Sequence, residues 1–141
     1  MYFHPHFRQR FDTLAAAAAK AERVGRGDHP DVKLFAAVVR IIETIVPADP
    51  DHPDFRLAGD LSRFRRAKGR GLPARYRLFW VFSSRARAIV FLYLNDASTL
   101  RKEGARSDPY ARFGAMVRRG EIAPDFDGNF GAAKRPARRP T

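Results

Sequence analysis

The order of apolar patterns along the chain predicts an α+β domain, α-α-β-β-β-β-α, with helices packed on an antiparallel sheet of about four strands. Three observations carry this. Two helical stripes open the chain, Phe7, Phe11, Leu14, Ala18 and Val24 in the first and Phe35, Val38, Val39, Ile42, Ile45 and Val46 in the second. Two strand-length apolar runs follow, residues 76–82 and 88–94, joined by the polar segment 83–87 as a hairpin. A helix-start signal, Ser107-Asp-Pro109, then precedes Tyr110, Phe113, Met116 and Val117 at helical spacing.

Each element has a local reason. Pro5 suits a helix start and Gly25 a stop, and the alanine run between them reads as a thin packing face. Residues 31–46 form the second helix, which Pro47 ends; the spaced prolines of 48–54 then exclude regular hydrogen-bonded structure. Phe55-Arg-Leu57 is a short candidate strand. From Arg63 to Arg77 the chain carries Arg63, Arg65, Arg66, Lys68, Arg70, Arg75 and Arg77 with no acidic residue. Alternation puts Arg75, Arg77, Phe79 and Val81 on one face of the first hairpin strand and Tyr76, Leu78, Trp80 and Phe82 on the other. The second hairpin strand does not alternate, which predicts a central strand covered on both faces. It ends in Asn95-Asp96, on a loop carried by a rigid frame. From Asp127 the chain lacks periodicity and is rich in Gly, Pro and Arg, so residues 1–126 are expected to be the domain and 127–141 a mobile basic tail.

At 141 residues the chain is one domain's worth, and 45% hydrophobic residues support a folded core. Its 27 Lys+Arg against 15 Asp+Glu give a formal charge of +12, which predicts an acidic partner, nucleic acid first. No stretch approaches the roughly 20 apolar residues of a membrane span, and no leader pattern opens the chain, so a cytoplasmic location is expected. The absence of cysteine removes disulfides, thiol nucleophiles and Cys-ligated zinc. His4, His6, His29 and His52 invite a ribonuclease-style histidine pair or a metal site, but all lie before the basic stretch and read as helix-cap or loop residues, and Asp49, Asp51, His52 and Asp54 have no recognised ligand spacing; neither a metal nor a cofactor is expected. Phe79, Trp80 and Phe82 could stack bases, but the leucine and valine among them predict core.

Phe3-His-Pro, Ile45-Val-Pro-Ala-Asp-Pro50, Arg66-Ala-Lys68, Tyr76-Arg-Leu-Phe79, Asn95-Asp96, Thr99-Leu-Arg101, Gly104 and Asp108 with Tyr110 stand in an order and spacing that resembles the YhaV toxins of bacterial toxin–antitoxin systems, a branch of the RelE-like ribonuclease superfamily. Gly69 departs from the pattern, standing where an aromatic residue is expected, and the basic tail is an extension. The resemblance implies a microbial-ribonuclease-like sheet, cleavage of mRNA often coupled to the ribosome, and inhibition by an antitoxin similar to PrlF, with a swapped-hairpin DNA-binding domain, in a hetero-oligomer that binds operator DNA. It implies catalytic roles for Arg77, Arg66 and Lys68. Asn95, Asp96, Arg101 and Tyr110 match by position.

RNA is cut without metal when its 2′-OH attacks the adjacent phosphate; a base takes the hydroxyl proton, cations hold the charge gathering on phosphorus, and an acid protonates the leaving oxygen. Arg77 is the first candidate for charge stabilisation, through its two-pronged guanidinium. Lys68 is a candidate base if neighbouring guanidinium groups disfavour its protonated form, and Asp96 is the competing base. The catalytic set is thus Arg77, Lys68, Arg66, Asp96 and Tyr110, with Arg63, Arg65, Arg70, Arg75, Asn95, Arg101 and Lys102 as RNA contacts. The alternative is a non-catalytic RNA- or DNA-binding domain using the same basic face. Beside these stand plain structural roles: a strand-ending turn for Asn95 and Asp96, and a core aromatic for Tyr110.

Overall fold

A computed structural model describes residues 1–135. A four-stranded sheet of order β1-β4-β3-β2 lies between two helical layers. The strands are β1 (Tyr2–Phe3), β2 (Arg65–Ala67), β3 (Leu78–Ser83) and β4 (Ala88–Leu94). On one face pack α1 (Pro5–Arg23) and α2 (Pro30–Arg40), joined to the sheet through Phe7, Leu14, Val38, Trp80 and Phe91. On the other pack α4 (Pro109–Arg118) and α5 (Phe126–Lys134), where Phe79, Val81, Leu92, Phe113 and Met116 form a second cluster.

The two faces of β3 are those that the alternation implies. Phe79 and Val81 meet the α4 layer; Leu78, Trp80 and Phe82 meet the α1–α2 layer. β4 is central, flanked by β1 and β3, which is why its sequence is apolar on both faces. Near its end the register shifts: Phe79 faces Tyr93 while Trp80 faces Phe91, so Leu92 is an extra residue and both Leu92 and Tyr93 lean on the α4 side. Such a bulge bends a strand and re-aims its side chains, and this one lies beside the basic end of the sheet.

Four features differ from expectation. The fourth strand is the N-terminal pair Tyr2–Phe3, parallel to β4, so the sheet is mixed. Two residues are too few for alternation to signal a strand. The candidate strand at Phe55 makes only an isolated bridge, Arg56 to Arg65, because His52 caps and Pro53 begins a 3-10 turn, Pro53–Phe55, that ends there. The second helix continues past Arg40 through a π turn, Ile41–Ile45, and a last α turn, α3 (Val46–Ala48). Proline clashes with the carbonyl four residues back in a regular helix, and the wider π turn lets Pro47 enter before the helix ends. Finally, the expected mobile tail is not one over 127–134: Asp125 caps α5, Asn129 is fully buried, and Phe126 and Phe130 pack on the α4-side cluster. Residues 136–141 lie outside the described residues.

Candidate active site

The turn before β3 hands Arg77, the residue that precedes the strand, to the α4 side of the sheet. Arg75 has φ of +72°, a left-handed conformation that costs a non-glycine residue on the order of 1–2 kcal/mol. Two bonds hold it, the Arg101 N–H and the Asn95 Nδ2–H both donating to the Arg75 carbonyl at 2.8 and 3.0 Å. Asn95 is fully buried. Its Nδ2 also donates to the Thr99 carbonyl at 2.7 Å, and its Oδ1 accepts the Arg77 N–H at 2.7 Å in place of a strand partner. Arg10, on α1, donates to the Asn95 carbonyl from the other side. Asn95 therefore fixes the backbone of Arg75 and Arg77, its buried side chain being engaged by backbone groups at both Oδ1 and Nδ2.

Arg77 lies on the same face as Phe79, under α4. Its Nε donates to the Tyr110 hydroxyl at 3.2 Å and its Nη1 to the Tyr76 carbonyl at 2.8 Å. It pairs with no carboxylate among the described residues, and its Nη2 is left for an outside acceptor. Tyr110 is the centre of a cationic cluster. The Arg101 guanidinium carbon lies 4.8 Å from its ring centroid and that of Arg66 5.9 Å. The ring's edge meets Phe79, so the tyrosine packs into the core and still presents its hydroxyl to Arg77.

Asp108 assembles this end of α4. Buried, it accepts from Arg101 Nη1 at 2.6 Å and the Lys102 N–H at 2.8 Å through Oδ1, and caps the helix by accepting the Tyr110 N–H through Oδ2 at 3.0 Å. The pair keeps Arg101 charged, its side-chain bond to Asp108 pushing the guanidinium further above its ordinary value. The sequence offers Ser107 or Asp108 as the cap, and Asp108 with Tyr110 as part of the family pattern, but nothing in the local pattern shows the hold of Asp108 on Arg101, seven residues back. Arg10, eighty-five residues from Asn95, carried no signal at all.

Arg66 links this cluster to a cleft of about 400 Å³ lined by Pro53, Asp54, Phe55, Lys68 and Arg70. It faces Phe79 across the β2–β3 pair, and its Nη1 donates to the Asp54 carbonyl at 3.2 Å. Lys68 is exposed on the cleft wall. Arg70 pairs with the Asp54 carboxylate at 3.2 Å.

The remaining expected site residues lie apart. Arg65 sits on the opposite face, bonded to Asp51 at 2.8 Å and over the Phe82 ring. Arg63 is exposed in the turn before β2, Arg75 is exposed, and Lys102 is exposed beside Arg101. Asp96 is turned into its own loop, accepting from the Ser98 N–H, the Ser98 hydroxyl and the Thr99 hydroxyl at 2.9, 2.6 and 2.9 Å. Desolvation raises its carboxyl, but the Ser98 and Thr99 bonds outweigh it and hold the group below the usual carboxylate value. That makes it a weaker base than an ordinary carboxylate. Within the acidic loop, Asp51 is bonded to Arg56 and Arg65, Asp54 to Arg70, and the His52 ring caps the Pro53 turn.

The arginine held against a tyrosine in a basic cluster sits on a small α+β fold, and a family comparison gives the class of protein: residues 1–133 match the family described as a toxin with endonuclease activity, of a toxin–antitoxin system. The chain belongs to the YhaV toxin family. It is 31% identical to the ribonuclease toxin YhaV of Escherichia coli K12, the alignment covering 90% of this chain and 86% of that protein, and stands at the same identity to the toxin YhaV of Escherichia coli O157:H7. No solved structure matches the chain.

Proposed function

We propose that this toxin is an endoribonuclease that cuts mRNA by attack of the 2′-OH on the adjacent phosphate, without a metal. The observation that carries this is Arg77: a guanidinium anchored through Nε and Nη1, free of any carboxylate among the described residues, aimed beside a tyrosine hydroxyl. The anchored fork is preorganised for the negative charge that develops on phosphorus. Arg101, fixed by Asp108, adds a second cation. Because the Tyr110 oxygen accepts the Arg77 Nε–H, its own O–H points elsewhere and is suited to donate to the leaving 5′ oxygen. Lys68, reached through Arg66, is the candidate for the base that takes the 2′-OH proton. Asp96 is the weaker candidate, its Oδ1 being engaged by Ser98 and Thr99 and its carboxyl held below the usual carboxylate value.

The electrostatics support metal independence. A divalent ion would have to settle among Arg66, Arg77 and Arg101, where like charge opposes it. The antitoxin of this system is proposed to be PrlF-like and to form an operator-binding complex with the toxin, and the cytoplasm is the proposed location, since the substrate is mRNA. No helix among the described residues is long and apolar enough to cross a membrane.

The test is incubation of the purified protein with RNA, with and without ribosomes, in excess EDTA, followed by mapping of the cut ends. Cleavage that survives EDTA and leaves 2′,3′-cyclic phosphate or 3′-phosphate ends is expected. A magnesium-dependent cut leaving 3′-hydroxyl ends overturns the mechanism; RNA binding with no cut under any condition returns the domain to a non-catalytic nucleic-acid binder.

A further inference from the structure

The cleft beside the Arg77–Tyr110 pair carries an unsettled charge. Arg66 is only 9% exposed, yet its Nε finds no acceptor among the described residues. A buried, unsatisfied donor costs about 1–3 kcal/mol, more when charged, and native folds keep few of them. Around it, Lys68 and Arg70 line the same cleft, and the anion that enters is the chain's own: the Asp54 carboxylate, two-thirds exposed, accepts from Arg70 Nη2 at 3.2 Å while the Asp54 carbonyl caps Arg66. An exposed pair of this kind contributes about 0–1 kcal/mol, so a phosphate oxygen displaces it at little cost.

We propose that the Arg70 side of this cleft is an anion subsite for a phosphodiester of the RNA other than the one being cut, Lys68 on the same cleft remaining the candidate base for the cut itself, and that Asp54 is its built-in competitor, holding Arg70 until RNA arrives. The assignment rests on the ribonuclease reading for the identity of the anion. It treats the centre at Arg77 and the cleft at Arg70 as separate holds on one strand, with Arg66 between them. A contact away from the reacting phosphate is felt equally before and during the reaction, so it alters KM and leaves kcat alone.

The full chain is titrated with a fluorescent 2′-O-methyl hexanucleotide, which lacks the nucleophile and cannot be cut, across a range of salt, and kcat and KM are measured separately on RNA. Asp54→Asn is expected to tighten binding about threefold or more. Arg70→Ala is expected to weaken it by a similar factor and to lower the salt slope by about 0.7, one single-strand phosphate contact. Both should leave kcat unchanged, and Asp60→Asn, which removes a charge from the neighbouring turn, should alter neither. A fall in kcat for Arg70→Ala as large as that for Arg77→Ala overturns the proposal, since the Arg70 side of the cleft would then serve the reacting phosphate. So does unchanged binding in both variants, or an Asp54→Asn effect seen only on a glutamate-rich peptide, which would make the cleft a seat for an acidic protein segment. If binding shifts as expected while no cleavage is ever detected, the subsite stands and the ribonuclease reading falls.

Discussion

Two side chains that both touch the start of β3 do different work, and one pair of substitutions separates them. Arg77 offers its charge outward, while Asn95 spends its whole side chain on backbone groups. Arg77→Ala is expected to lower the cleavage rate on the order of 100-fold or more, the scale for loss of one preorganised charge-stabilising group, with little change in melting temperature. RNA affinity should change far less, because other basic groups remain, and Arg63→Ala should leave cleavage nearly intact. Asn95→Ala instead strips partners from the Arg77 N–H and the Thr99 carbonyl; it is expected to cost on the order of 3 kcal/mol in stability as well as activity. A stable but inactive Asn95→Ala protein would show that Asn95 contacts substrate after all. The alternation put Arg77 at the cationic end of a strand, on the face where it lies, whereas a catalytic role for it came from the family resemblance and not from the pattern. The sequence could not show that Asn95 is buried, since an Asn after a strand reads equally as a turn or a ligand.

Among the elements, the caps follow one rule stated three times. His4, His29 and His52 each sit at an N-cap with proline at the first helical position, and each accepts the N–H two residues on through Nδ1. The sequence left these histidines between cap and loop roles; the structure makes all three caps, and of the three His4 alone is buried. Burial, then the charges of His6 and Arg135, lowers the His4 pKa to about 4 from 6.5. An acceptor nitrogen must be unprotonated, so folding favours neutral His4. Its contribution is complete above pH 6.5 and is lost as pH falls toward 4. Asp51 and Asp96, held below 3.8, act only at lower pH. The melting temperature is therefore expected to fall across that window, and His4→Asn, which caps without titrating, should flatten the profile. An unchanged slope in the variant would assign the pH dependence to another group.

For the molecule as a whole, the sheet closes because both chain ends come to it. β1 pairs with the far side of β4, and α5 lies across the same edge, where Tyr2 meets Phe130 edge-on at 4.8 Å and Phe126 stacks at a tilt on Phe130. This closure was the least legible part of the chain. A two-residue strand has no period, and Asp-Gly-Asn-Phe-Gly reads as a loop because glycine and asparagine are poor helix formers. Tertiary contacts decide otherwise: Asn129 is buried with its side chain bonded to Ala123 and Asp125 backbone groups, which ties the start of α5 to the turn after α4. Deleting 126–141 removes Phe126 and Phe130 and is expected to uncover the β1 edge and the part of the α4-side cluster that they cover. Each phenylalanine contributes about 1.5–3 kcal/mol when fully buried, and less here where both are half-buried. Together with the Asn129 bonds the loss is on the order of 4 kcal/mol, or roughly 10 °C in melting temperature for a chain of this length. Deleting only 136–141 removes none of these contacts and should leave the melting temperature nearly unchanged. Thermal melts of the two truncations decide it, since equal and small effects in both would mean that α5 contributes nothing to the fold, whereas a large effect confined to the longer deletion makes the helix part of the domain.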